Sequence, residues 1–146
     1  MEVLSIPDYR THYVVNTLTI VIISIYTLFY HYLNIIELGI FIVAYTIGTE
    51  FMSPDVDVKS TPYNKNKLLW YPYRKLSKHR GISHSIIGIF IRLLYVSAII
   101  IIISLLFNQF DVLIDFLLNI KIMHYALFIS GITLSNVMHI LIDRFF

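Results

Sequence analysis

Apolar positions gather into four runs along the chain. From Thr11 to Ile36 there is no Asp, Glu, Lys or Arg. A second, shorter run extends from Leu38 to Thr49, between Glu37 and Glu50. The third covers Ile82 to Phe110, and Arg92 is its one formally charged residue. The fourth runs from Ile122 to Ile142, with His124 near one end and His139 near the other. A helix of about 20 apolar residues crosses a bilayer core of ~30 Å. A water-soluble helix keeps a polar face, yet Ile99 to Leu106 is apolar all round except at Ser104. The pattern predicts an all-α integral membrane bundle of about four transmembrane helices. Their expected spans are about 12–32, 36–53, 82–108 and 122–143, in one domain, 1–146. One long polar loop, 53–81, joins the second and third.

Composition narrows the class. Of the 146 residues, 58% are hydrophobic and 14% charged, and mean hydropathy is +0.76. Disorder needs low hydrophobicity, so a disordered chain is excluded. The absence of cysteine excludes a disulfide scaffold, thiolate metal sites and a cysteine nucleophile. The first run is longer than the ~7–15-residue core of a signal peptide and is read as a retained span. A net charge of +2 gives no reason to expect nucleic acid as a partner.

The distribution of charge says more than its sum. Lysine and arginine mark cytoplasmic loops. With the N-terminus inside, Arg10, Arg144 and the loop residues Lys59, Lys65, Lys67, Arg74, Lys75, Lys78 and Arg80 all fall inside. Only Lys121 falls outside. Both termini and the long loop are therefore expected in the cytoplasm, at the cell membrane. Trp70, Tyr71 and Tyr73 in that loop are expected at headgroup level, with membrane lipid as a partner. Arg92 is expected to snorkel toward the same interface.

Placed on this topology, His12, Asp55, Asp57, His79, His84, His139 and Asp143 all fall at the cytoplasmic end. His31 and His124 belong to the opposite end. Asp55 and Asp57 form a carboxylate pair after Pro54; such a pair can share or bridge metal ions, and without them would repel. His139 and Asp143 are four apart on a helix and project from one face. His79 and His84 are five apart, about 140° on an ideal helix. His79 is therefore expected in the loop and His84 in the first helical turn. Imidazole and carboxylate donors without thiolates suit zinc first, with manganese or iron as alternatives. Seven candidates exceed the three protein ligands of a single catalytic zinc and fit two ions better. Arg80, inside the histidine pair, can hold a phosphate or an acid.

The segments SPDVDVKS and WYPYRKLSKHRGISHS, the latter running into an apolar helix, resemble an uncharacterised family of small metal-binding membrane proteins. Thr11-His12 and His139-x-x-x-Asp143 are similar to that family's terminal motifs. The family tends to carry an acid after the first histidine, where this chain has Tyr13. The pattern also resembles membrane-bound metal-dependent hydrolases, and distantly the zinc-dependent phospholipase C and single-strand nuclease superfamily. That resemblance implies phosphoester hydrolysis. Asp57, Arg80 and Asp143 are then the expected catalytic residues, with a phosphoester as substrate. The same residues also allow a non-enzymatic metal-binding structural or sensor protein. Transport would require acids deep in the spans, and the sequence offers no such path.

Overall fold

The computed structural model describes residues 9–77 and 82–145. These form α1 (Tyr9–Phe29), α2 (Ile35–Glu50), α3 (Thr61–Lys65), α4 (Lys67–Leu76), α5 (Ile86–Leu106), α6 (Phe110–Asn119) and α7 (Ile122–Phe145). Single 3-10 turns lie at Pro54–Asp57 and Ile82–His84. Among the described residues, four stretches are long and apolar enough to cross a membrane: Arg10–Phe29, Ile35–Asp57, Ile86–Leu106 and Ile122–Phe145. Their apolar surface faces outward, as at Ile22, Ile25, Leu94 and Leu106. That is the arrangement expected of a bundle whose solvent is lipid.

The helix boundaries have local causes. Asn34 accepts from the Ile36 and Glu37 amides while Glu37 reaches back to the Asn34 N–H, a capping box that starts α2. Ser85 accepts from Gly88 N–H and starts α5. Asn108, at φ 52°, turns the chain out of α5 in the left-handed conformation that asparagine tolerates.

Among the described residues, the most extensive helix pairing is α2 against α7. Small residues allow it: a Cβ on Gly131 would lie 2.8 Å from the Phe41 carbonyl oxygen. A Cβ on Gly48 would lie 2.9 Å from Ser135 Cβ. Beside that contact, the Thr49 and Ser135 hydroxyls meet at 2.8 Å. Close backbone approach of this kind drives helix association where no hydrophobic effect operates between helices.

The segment expected as a polar loop is partly helical. Val56, Tyr63, Trp70 and Tyr73 from it join the buried core. Trp70 stacks on Tyr95 of α5 at 5.7 Å, and the Tyr95 hydroxyl donates to the Leu69 carbonyl at 2.6 Å. Trp70 and Tyr73 are therefore core residues and not interfacial ones; of the three aromatics, only Tyr71 stays exposed. The short helix α6 likewise lies outside the four expected spans. Its apolar residues alternate with Asp111 and Asp115 over only ten residues, too short a run to stand out as a span.

Candidate metal centre

Four chain segments meet at one end of the bundle: the start of α1, the turn after α2, the turn before α5 and the end of α7. The turn after α2 is shaped by Ser53, whose hydroxyl accepts from Asp55 N–H at 3.4 Å. Ser60 Oγ donates to the Asp55 carbonyl at 2.7 Å and closes the turn from the other side. This fixes the Asp55 carboxylate against α7 and the Ile82–His84 turn.

Among the described residues, Asp55, His84, His139 and Asp143 bring four ligand atoms within 4.8 Å of one another. His84 Nε2 lies 3.3 Å from Asp55 Oδ1 and 3.3 Å from Asp143 Oδ2. His139 Nε2 lies 3.3 Å from Asp55 Oδ2 and 3.4 Å from Asp143 Oδ2. Yet His139 Nε2 is buried and meets neither oxygen with hydrogen-bond geometry. The nitrogen is held at ion-pair distance from two carboxylates without a hydrogen bond to either, a placement that a shared cation would satisfy. It fits a lone pair directed at a cation. The donor set, two imidazoles and two carboxylates, suits a divalent first-row ion.

Neighbouring groups orient the donors. His12 Nε2 lies 3.2 Å from Asp143 Oδ1, whereas His84 and His139 face Asp143 Oδ2. The His12 ring stacks on His139 at 3.9 Å, with 15° between planes. Ser53 Oγ approaches His139 Nδ1 at 3.4 Å. Outer partners of this kind set the rotation of a ligating imidazole. Burial alone would lower the His84 pKa. The hydrogen bonds to Asp143 and Asp55, with the charges of Asp55 and Asp57, outweigh it and hold the pKa at about 9.

The expected site residues fall into three groups. Asp55, His84, His139 and Asp143 stand together. His12 touches them at Asp143 and by stacking on His139, and Asp57, 4% exposed, lies outside the four-ligand group while its charge reaches His84. His79 and Arg80 lie outside the described residues. His84 sits in the 3-10 turn before α5 and not in its first helical turn. Asn16 donates to the His12 carbonyl and accepts from the Tyr45 hydroxyl, so it braces α1 against α2. Glu50 pairs with Lys65.

Arg92 departs most from expectation. It does not snorkel: it is 0% exposed, donating to the Ser83 carbonyl at 2.7 Å and to Asn136 Oδ1 at 2.8 Å. Snorkelling assumed a lipid-facing helix side, whereas this face of α5 turns toward α7. Ser53, Ser83 and Asn136 have no role in the sequence reading. For Asn136 there was a usable signal, a polar amide inside an apolar span, three residues before His139.

A family model described as uncharacterized metal-binding protein (DUF2227) matches residues 7–146. The chain belongs to that family. An uncharacterized protein of Aquifex aeolicus (strain VF5) is 36% identical over 58 residues, 36% of this chain and 41% of that protein. The matched part thus spans less than half the length of that relative. No solved structure matches the chain. Metal binding is the property that the DUF2227 description names, and the cluster at the bundle's end supplies a donor set for it.

Proposed function

We propose that this DUF2227 protein is a metal-dependent hydrolase acting on a phosphoester at the cytoplasmic membrane face. The observation that carries the reading is the one-sided opening of the ligand group. The side chains of Asp55, Asp143 and His84 are 24%, 20% and 12% exposed, while His12 and His139 close the other side at 5% and 7%. Among the described residues, the carboxylate side is therefore the more open to water and a substrate oxygen. A divalent ion bound there supplies Lewis-acid activation of water and of the ester.

The chain's own residues supply the rest. His12 holds one oxygen of Asp143, leaving the other toward His84 and His139. Asp55 stands between the two histidines, with Oδ1 3.3 Å from His84 Nε2 and Oδ2 3.3 Å from His139 Nε2. Arg80 is the residue assigned to developing negative charge. Two imidazoles and two carboxylates whose ligand atoms lie within 4.8 Å of one another suit zinc first, with manganese or iron as alternatives. Four protein donors are a full set for one zinc ion. A second would require His12, Asp57 or His79. The cytoplasmic orientation rests on the lysines and arginines of 53–81.

The test is turnover of aryl phosphate mono- and diesters and of lipid phosphates by the purified full chain loaded with zinc or manganese. Activity that disappears on chelation and in Asp143→Asn is the expected result. No turnover, or equal turnover in Asp143→Asn, contradicts it. One observation favours a second reading, a structural clip. The four donors come from three separate segments: the turn after α2, the turn before α5, and α7. A chelator-sensitive melting temperature without turnover supports the clip.

A further inference from the structure

Beneath the metal centre lies a buried cation that the reading above does not use. Arg92 is inside α5 and fully buried. Its Nη1 donates to the carbonyl of Ser83, the residue immediately before His84. Its Nη2 donates to Asn136 Oδ1, one helical turn before His139 on α7. Asn136 donates its own amide to the Ile132 carbonyl at 2.9 Å, which turns its oxygen toward Arg92. One guanidinium thus joins the two segments that carry the two histidine donors.

The turn it grips is tightly seated. A Cβ on Gly88 would lie 2.2 Å from the Ile82 carbonyl oxygen and 2.7 Å from that of Ser83. The Tyr73 and Ser83 hydroxyls meet at 3.0 Å. A buried guanidinium is weak as a stabiliser, because desolvation offsets much of its pairing energy. An apolar side chain of similar volume would fill the space at lower cost. What it would lack is the planar fork that fixes two acceptors at once.

We propose that Arg92 is a positioning residue of the metal centre: it ties the Ser83 carbonyl to Asn136 and so sets where His84 stands relative to His139. The proposal rests on the reading of Asp55, His84, His139 and Asp143 as metal ligands. Arg92 itself is not one of the four donors. Outer groups that orient a ligand change metal affinity by about 10–100-fold when removed.

The test uses the purified full chain, with cobalt(II) alone as the probe, read by affinity and by its visible absorption spectrum. Arg92→Gln weakens cobalt binding by about 10–100-fold and changes the spectrum as His84→Ala does. The double variant binds no more weakly than His84→Ala alone, since both changes act on one ligand. Wild-type affinity and spectrum in Arg92→Gln, or losses that add in the double variant, overturn the proposal. No cobalt binding by the wild type overturns the metal-centre reading itself, a separate result. If Arg92→Gln does not fold, Arg92→Lys keeps the charge without the fork, and Asn136→Ala removes one anchor. Weakened binding in both supports positioning, and wild-type binding in both overturns it.

Discussion

As a metal ligand, His84 would trade one cation for another. Its pKa of about 9 stands above the ordinary 6.5, so without metal the ring is charged at neutral pH and pairs with Asp55 and Asp143. A raised pKa contributes stability that is complete below pH 6.5 and lost as pH climbs through about 9. Metal acts in the opposite direction, because a ligating histidine must first lose its proton. Melts in chelator should therefore show the wild type losing stability between pH 6.5 and 9, with a flatter profile in His84→Ala. Melts with added zinc should show stabilisation that grows over the same interval. A zinc-induced shift that shrinks as pH rises would contradict the assignment of His84 as a ligand.

At the scale of elements, the glycines of the α2–α7 seam make the sharpest prediction. Gly131→Val places carbon where only 2.8 Å separates a Cβ from the Phe41 carbonyl, and that backbone cannot yield cheaply. Overpacking of this kind costs about 1–3 kcal/mol, to be read as a lowered melting temperature in detergent. Gly39→Ala is the control, since nothing lies within 4 Å of its Cβ position. The long helices were legible because an unbroken apolar run has one physical outcome in lipid. The expected stretches and the observed α1, α2, α5 and α7 differ by a few residues at their ends. Short helices were not legible. In α4, Trp70 and Tyr73 face the core while Lys67, Arg74 and Lys75 keep the average polar, so composition reads as loop. The clustering of Asp55, His84, His139 and Asp143 was visible from topology alone, because each lies at the same end of its span. The network of Arg92, Ser83 and Asn136 was not, because it depends on which face of α5 meets α7.

At the scale of the whole molecule, the proposed orientation can be tested without a background of native thiols, since the chain has no cysteine. Asp111→Cys should react with a membrane-impermeant maleimide on intact cells. Lys59→Cys should react only after permeabilisation. The reverse pattern would put the metal centre on the outer face and remove the cytoplasmic assignment. The central claim is that the converging helix ends hold a metal, and metal content per chain tests it most directly. Elemental analysis of the purified full chain should find one divalent transition metal per chain in the wild type, and almost none in Asp55→Ala or His139→Ala. A wild type without metal, or variants that keep a full complement, would contradict it.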